Sequence, residues 1–151
     1  MTFLDNIYDD FSSVTNIATN EIDTVRAALI IAKGNYRNLN IEKYERQIEY
    51  FSETLKNSLP QNIDDISPNN LISSVNEVIF NELKFKGDVN TYENPQNLYI
   101  NHVIDERQGI PISLALIYSQ ICNRVGLDVQ VIGLPGHVIC QYNHSNKDKT
   151  Q

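Results

Sequence analysis

The sequence predicts an α+β fold, mainly α, in which a helical bundle surrounds a buried central helix and is followed by a β-hairpin. Three observations indicate this fold class. Apolar residues recur at helical spacing through the first two thirds of the chain. Residues 112–123, ISLALIYSQICN, carry no charge and are apolar in every direction, which is typical of a buried helix. Residues 129–142 alternate apolar and polar side chains on either side of a turn.

Length and composition limit the number of domains and the classes of partner. The chain has 151 residues, of which 41% are hydrophobic and 21% are charged, and this is enough apolar material for one core. We expect a single domain over 1–151, with a helical part at 1–84, a motif-bearing core at 85–142 and a polar tail at 143–151. The net charge of −7 argues against nucleic acid and anionic membranes as partners. The acidic N-terminus does not resemble a secretion signal, and two cysteines do not form a disulfide framework, so we expect a cytoplasmic protein.

Two amphipathic helices are predicted before Pro60, after an N-terminal stretch that forms a short helix or an arm. The first ends near Gly34, and the second begins after Asn40, a good N-cap residue. Glutamates interleave with the apolar positions of the second helix and form a solvated face. The apolar residues on one face of the first helix are Ile22, Val25, Leu29 and Ala32, with Ala28 beside them, and the expected buried stripe of the second is Ile41, Tyr44, Ile48, Phe51 and Leu55.

A capping residue followed by proline marks the start of the next two helices, at Ser67-Pro68 and at Asn94-Pro95. Gly109-Ile110-Pro111 then begins the charge-free central helix, and Gly126 is suited to its C-terminal end. The apolar positions are Leu71, Val75, Val78, Ile79 and Leu83 in the third helix and Leu98, Ile100, Val103 and Ile104 in a short fourth helix.

The hairpin raises a question about its edges. An isolated hairpin is barely stable in water, so its strands must lean on the central helix. No third strand is evident to cover the edges near Val129–Leu134 or Val138–Tyr142. Either an N-terminal segment pairs with the hairpin, or a second copy does, or the chain is a shortened form of something longer, which is the interpretation we favour.

Two motifs near the central helix carry a family resemblance. The segments NPQNLYINHVIDERQGIPISLALIY and RVGLDVQVIGLPGH, preceded by Phe85-Lys86-Gly87, resemble the SirB1-like, transglutaminase-like family of bacterial cytoplasmic proteins. A related module occurs in some eukaryotic F-box proteins. The specific match covers residues 85–139, whereas the helical N-terminal half fits only loosely.

The resemblance implies a truncated transglutaminase-like domain with a papain-like core. Such folds use a Cys-His-Asp arrangement, in which the cysteine begins a buried helix. Matching the family's glycine to Gly109 and its small helix residue to Ala115 places the nucleophile position on Pro111. The histidine position falls on His137, and the third strand with its acid lies beyond Gln151. Two of the three catalytic groups are therefore missing, and we lean towards a protein that is not an enzyme.

Ser113 and His137 are the remaining candidates for catalysis. The Ser113 hydroxyl lies early in the central helix, where it is positioned to approach His137, but a serine nucleophile also needs an oxyanion hole. The structural alternative is that this hydroxyl bonds back to a helix carbonyl or caps the first turn. Cys122 and Cys140 are expected to be buried small hydrophobic residues.

Other residues near these motifs are candidates for binding. Arg107 either binds an anion at the helix start or forms an ion pair that fixes the loop. Asn97 and Asn101 are expected to hold loop backbone by hydrogen bonds, with a substrate-facing role as the alternative. A surface around Gly109, Pro111, Ser113 and His137 is the expected binding region. Tyr92, Tyr99 and Tyr118 either line a pocket there or pack half-buried.

The sequence thus leaves three functions open. The first is a non-catalytic transglutaminase-like domain with a binding or regulatory role. The second is a hydrolase or acyl transferase that uses His137 with Ser113. The third is an interaction module whose exposed strand edge recruits another protein or a second copy. We expect no cofactor and no metal site, because His102, His137 and His144 have no ligand spacing.

Overall fold

The computed structural model describes residues 2–18 and 21–144 and confirms the α+β, mainly α, fold class. The helices of these residues are α1 (Phe3–Thr15), α2 (Thr24–Lys33), α3 (Ile41–Ser58), α4 (Pro68–Asn76), α5 (Ile100–Glu106) and α6 (Pro111–Arg124). The strands are β1 (Lys86–Gly87), β2 (Gln108–Gly109), β3 (Val129–Leu134) and β4 (His137–Tyr142). The remaining elements are short 3-10 turns at Ile63–Asp65 and Pro95–Leu98 and a π-helical stretch at Glu77–Glu82.

Side-chain caps define the helix starts that the sequence predicts. The Asn40 side chain accepts the backbone N–H of Lys43 at 2.9 Å and begins α3. The Ser67 hydroxyl accepts the N–H of Asn70 at 3.3 Å, with Pro68 in the first turn of α4. These bonds satisfy N–H groups that have no partner within the helix, so both predicted starts are confirmed.

Three helix bounds differ from the prediction. The first amphipathic helix begins only at Thr24, because Asp23 caps it by accepting the N–H of Arg26 at 2.8 Å. The third predicted helix is α4 only as far as Asn76 and then widens into the π-helical stretch. The fourth is divided at Tyr99 into the 3-10 turn Pro95–Leu98 and α5.

Helix α6 lies at the centre of the fold, between α3 on one side and the β3–β4 hairpin on the other, and it also contacts α2 and α5. The apolar stripe of α3 is buried as predicted. On α6, Ile117, Ile121 and Cys122 are fully buried, whereas Ile112 in the first turn keeps 39% of its surface exposed. The prediction of a buried central helix is therefore confirmed, except at its N-terminal turn.

A short parallel pairing that the sequence does not predict lies beside the start of α6. Strand β1 pairs with β2, with Lys86 opposite Gln108 and Gly87 opposite Gly109. The N–H of Asp88 donates to the carbonyl oxygen of Gly109 at 2.9 Å and extends this pairing. The pairing ties the loop that follows Gly87 to the residues that precede α6.

The predicted hairpin is confirmed. Strands β3 and β4 pair antiparallel, from Val129 opposite Tyr142 to Leu134 opposite His137. Pro135 and Gly136 form the turn, and the φ of +73° at Gly136 is one that glycine adopts without steric cost. Among the described residues no further strand pairs with this sheet.

Strand β4 ends at Tyr142, where the predicted tail at 143–151 begins, and the next residue is Asn143. Its N–H donates to the carbonyl oxygen of Asp128 at 2.8 Å. Residues 145–151 of the predicted tail lie outside the described residues. Within the described part of the chain, no helix combines the length and apolar character needed to cross a bilayer.

Candidate functional site

The start of α6 is closely packed around Gly109. A Cβ atom at Gly109 would lie 2.7 Å from the Ser113 hydroxyl oxygen and 2.8 Å from Cγ1 of Val103, so only glycine fits here without a shift of its neighbours. Pro111 occupies the first helical position, is exposed and offers no donor or nucleophile. The position that the resemblance assigns to the nucleophile is therefore a structural helix start.

The Ser113 hydroxyl is used within the helix. Ser113 is 2% exposed, and its hydroxyl donates to the carbonyl oxygen of Ile110 at 3.0 Å. This is the arrangement that the structural alternative for Ser113 describes. No hydrogen bond joins Ser113 to His137 among the described residues.

His137 lies on the face of the hairpin that points away from α6. The thiol of Cys140 contacts the carbonyl oxygen of Ala115 in α6 at 3.7 Å, so the face of β4 that carries Cys140 packs on this helix. Alternate residues of a strand point to opposite faces, and three positions separate His137 from Cys140. His137 is exposed and shares the outer face with Ile139, which is 45% exposed. The structure does not bring His137 and Ser113 together.

Arg107 stacks on aromatic rings, and among the described residues it has no partner for the ion pair that the structural alternative expects. Its guanidinium carbon lies 4.2 Å from the ring centre of Phe51 and 5.1 Å from that of Phe85, within cation–π distance. Its Nη1 donates to the carbonyl oxygen of Ile104. Burial lowers the pKa of the Arg107 guanidinium from its ordinary value.

The neighbouring carboxylate of Asp105 is engaged elsewhere. It accepts the Tyr44 hydroxyl at 2.7 Å and lies 3.5 Å from the Lys43 ammonium. The predicted loop-fixing ion pair is therefore wrong. Arg107 instead fixes the loop by closing α5 in the left-handed conformation, with φ at +56°, while its carbonyl accepts the N–H of Lys86 at 2.9 Å.

A buried carboxylate that the sequence analysis missed organises the loop beside Gly109. Asp88 is 4% exposed and accepts the backbone N–H groups of Asn90 and Thr91 at 3.1 and 2.9 Å. It also accepts the Thr91 hydroxyl and the Asn97 amide, the latter at 2.8 Å. Hydrogen bonds from Thr91, and then from Asn97, hold the pKa of the Asp88 carboxyl well below its usual range. The local signal was the Asp-x-Asn-Thr spacing, which is typical of an Asx turn.

Asn97 holds this loop from the other end, as predicted. It is 3% exposed, and its side-chain amide donates to the carbonyl oxygen of Thr91 at 2.9 Å as well as to Asp88. Both donors of Asn97 face the loop, which leaves none for a substrate. Asn101 is also buried, but its side-chain oxygen has no hydrogen-bond partner among the described residues.

The tyrosines support packing more than a common pocket. Tyr99 packs edge-on against Tyr36, with ring centres 5.4 Å apart, and accepts a hydrogen bond from the Asn35 side chain. Tyr118 donates to the Asn76 side chain at 2.9 Å. Tyr92 is 58% exposed. Tyr99 therefore ties α5 to the loop after α2.

Both thiols are poor nucleophiles. Cys122 is fully buried, and burial raises the pKa of its thiol to about 12. Cys140 is exposed as a whole residue, yet its sulfur faces α6, and partial burial raises its pKa as well. A thiol that stays protonated at neutral pH reacts slowly. In residues 2–18 and 21–144, no group of three His, Cys, Asp or Glu side chains is placed to hold a metal ion.

A cleft lies beside β3 and is lined by polar and apolar groups of several elements. Its volume is about 1030 Å³, and it lies between residues 21–24, the face of α6 that carries Leu116 and Ser119, and residues 126–131. We name it the β3 cleft. The sequence predicted an open edge on the hairpin, but it did not predict that residues 21–24 and α6 would flank the edge of β3.

The chain is similar in sequence to a known family and to known proteins. The family model described as the transglutaminase-like superfamily matches residues 42–150. A UPF0162 protein of Xylella fastidiosa, strain Temecula1, is 31% identical over 128 residues, which are 82% of this chain and 44% of that protein. Human F-box only protein 21 is 35% identical over 72 residues, 48% of this chain and 12% of that protein. No solved structure matches.

The chain spans less than half the length of these relatives. The family match extends well into the helical half, beyond the segment 85–139 that carries the motifs. The predicted resemblance to the transglutaminase-like family, including the related module of an F-box protein, is confirmed. The chain belongs to the transglutaminase-like superfamily.

Proposed function

We propose that this transglutaminase-like domain is non-catalytic and acts by binding another protein. The observation that carries the proposal is the arrangement at the start of α6. Pro111 stands where the resemblance implies the nucleophile, and the hydroxyl of Ser113, in the same helical turn, is buried and donates to the carbonyl oxygen of Ile110. Acyl transfer needs a nucleophile within hydrogen-bond reach of a base. This geometry therefore supports a fold that serves binding and does not carry out acyl transfer.

The alternative of a hydrolase or acyl transferase that uses His137 with Ser113 receives less support. The pleat of β4 directs His137 away from α6, and Ser113 is 2% exposed. Both residues would have to turn before a proton could pass between them.

Activity-based labelling tests this proposal. The purified chain and its His137→Ala variant are treated with a fluorophosphonate probe for serine and a chloroacetamide probe for cysteine, with an active cysteine protease as the positive control. We expect no labelling that depends on His137. A covalent adduct that forms on the native chain and is lost in His137→Ala would overturn the proposal.

A role in recruiting a partner strand is favoured by the open edge of the hairpin. Strands β3 and β4 form a two-stranded sheet among the described residues, and an edge of this kind is a template for strand addition. Native mass spectrometry and sedimentation of the chain over a range of concentrations test for pairing between copies. We expect a monomer, because two chains of charge −7 repel each other.

We further infer a reducing compartment such as the cytoplasm as the place of action. Cys122 and Cys140 are both free thiols. Disulfides are rare in reducing compartments, which is consistent with this assignment. Cell fractionation with an antibody against the native chain tests it, and recovery from an oxidising compartment would contradict it.

A further inference from the structure

We propose that the outer edge of β3 binds an extended peptide that carries Lys or Arg, which adds a third strand to the hairpin inside the β3 cleft. This inference rests on the proposed binding function and names the partner class and the site. It follows from the hydrogen-bonding groups of β3, from the walls of the cleft and from its charge.

The register shows which backbone groups of β3 are free. The bond from the N–H of Asn143 to the carbonyl of Asp128, at 2.8 Å, makes these two residues a hydrogen-bonded pair. In an antiparallel ladder such pairs alternate with pairs whose N–H and C=O groups point outward. Val129, Val131 and Gly133 therefore direct their backbone groups to the outer edge of β3.

Asn123 already imitates a neighbouring strand at one of these positions. Its side-chain nitrogen donates to the carbonyl of Val129 at 2.9 Å, and its side-chain oxygen accepts the N–H of Val129 at 2.8 Å. This exchange of two bonds is what a paired strand residue would supply. The same groups of Val131 and Gly133 have no partner among the described residues, so a bound strand would continue the ladder from Asn123.

The walls of the β3 cleft suit a strand with alternating side chains. Leu116 of α6 and Ile22 supply apolar surface, and Ser119 and Gln120 supply polar groups. The cleft holds about 1030 Å³, slightly more than the usual volume of a small-molecule pocket, which leaves room for an extended peptide. Alternate apolar side chains of an added strand would face α6, in line with Val129 and Val131.

The charge of the cleft favours a basic peptide. Glu21, Asp23 and Asp128 line it, and Arg124 is its cation. Arg124 is already paired, at 3.3 Å with Asp23 and at 2.7 Å with Glu49. The rim is therefore net negative on a chain of charge −7, which attracts Lys and Arg and disfavours a second copy of the chain.

The test uses a short capped peptide of alternating valine and lysine, titrated into the isotope-labelled chain and followed by amide NMR signals. We expect the largest shifts at Val131 and Gly133. A valine–glutamate peptide and a valine–lysine peptide with methylated backbone nitrogens should both fail to produce them. These controls change only the peptide, so they hold even where a protein variant is unstable.

Two pairs of variants sharpen the test. Gly133→Pro removes one outward N–H and should weaken binding of the valine–lysine peptide about tenfold. Gly133→Ala keeps that N–H, and its Cβ meets no atom within 4 Å, so it should bind like the wild type. Glu21→Gln should weaken binding, whereas Glu93→Gln, an exposed carboxylate that does not line the cleft, should not.

Three results would overturn this proposal: no binding of the valine–lysine peptide, equal binding of the glutamate or methylated peptide, or shifts that lie away from β3. Shifts at Val131 and Gly133 that grow with protein concentration alone would show a second copy as the occupant and would also overturn it. None of these outcomes affects the labelling experiment at His137, so a failure of this inference is distinct from a failure of the non-catalytic assignment.

Discussion

Gly109 and Ser113 are in such close contact that a Cβ atom on Gly109 would lie 2.7 Å from the Ser113 hydroxyl oxygen. The contact joins the end of β2 to the first turn of α6, and Val103 of α5 closes it from the other side. Since the hydroxyl is held by the Ile110 carbonyl, it cannot turn away without losing a hydrogen bond. This contact determines how closely the backbone at Gly109 packs against the first turn of α6.

Replacing Gly109 by alanine should therefore destabilise the fold by about 1–3 kcal/mol, the usual effect of overpacking a buried site. Urea unfolding at neutral pH measures this difference in the free energy of unfolding. Gly133→Ala is the matched control, since its Cβ meets no atom within 4 Å, and it should stay within about 0.5 kcal/mol of the wild type. The double variant Gly109→Ala/Ser113→Ala removes the clash with the Ser113 hydroxyl and should recover part of the lost stability. The recovery should be incomplete, because the clash with Val103 remains. Equal stability of Gly109→Ala and the wild type would contradict this packing.

Arg107 should contribute to stability through its aromatic contacts. Arg107→Ala removes the stack on Phe51 and Phe85 and leaves a non-glycine residue in the left-handed conformation, so we expect a loss of about 1–2 kcal/mol. Arg107→Gly loses the same contacts but relieves the backbone, and it should be less destabilised than Arg107→Ala.

Lys84 provides the comparison for Arg107, because it is also left-handed, with φ at +65°, but is exposed. Lys84→Ala should change the free energy of unfolding little, and Lys84→Gly should raise it by up to about 1 kcal/mol. Thermal and urea unfolding of the four variants measure these differences. If Arg107→Ala and Lys84→Ala behave alike, the aromatic stack contributes nothing.

Asp88 should make stability depend on acid pH. Its pKa is lowered in the folded state, so its contribution is present above the ordinary value for Asp, about 4, and is lost as the pH falls through the folded pKa. Asp88→Asn should therefore be less stable than the wild type at neutral pH, because an amide nitrogen would meet the donors of Thr91 and Asn97. The difference in the free energy of unfolding between Asp88→Asn and the wild type should narrow as the pH falls below about 4.

Urea unfolding of both proteins at neutral and strongly acidic pH checks this dependence on Asp88. Glu93→Gln, an exposed carboxylate of the same loop, is the control and should follow the wild type at each pH. A constant difference between Asp88→Asn and the wild type across the acid range would be evidence against the hydrogen-bonded carboxylate.

Cys122 should make stability depend on alkaline pH. Burial raises the pKa of its thiol to about 12, so the folded state holds the proton more tightly than the unfolded state. Its contribution is complete below the unfolded pKa of about 8.5 and is lost as the pH rises towards the folded value. Cys122→Ala removes this proton and should flatten the alkaline fall in stability, although it lowers stability at neutral pH by leaving a small cavity.

Thiol labelling gives an independent check on Cys122. In the native chain, Cys140 should react with a neutral disulfide reagent before the fully buried Cys122, and unfolding in urea should make both react at similar rates. Faster native labelling of Cys122 would contradict its burial.

The sequence by itself determined the features that depend on neighbouring residues. Capping side chains and first-turn prolines predicted the starts of α3, α4 and α6, because they act within one turn of the helix. Apolar periodicity predicted the buried stripe of α3, and alternation with Pro135-Gly136 predicted the hairpin. The motifs around Gly109 and His137 carried the family assignment.

Only the tertiary structure decided the features that join distant parts of the chain. The pairing of Lys86 with Gln108, the stack of Arg107 on Phe51 and the burial of Asp88 all depend on contacts that no local pattern records. The directions of the Ser113 and His137 side chains depend on tertiary packing in the same way. Each was a plausible candidate by residue type, but the direction of a side chain follows from the packing of its helix or strand, and this packing directs the two residues apart.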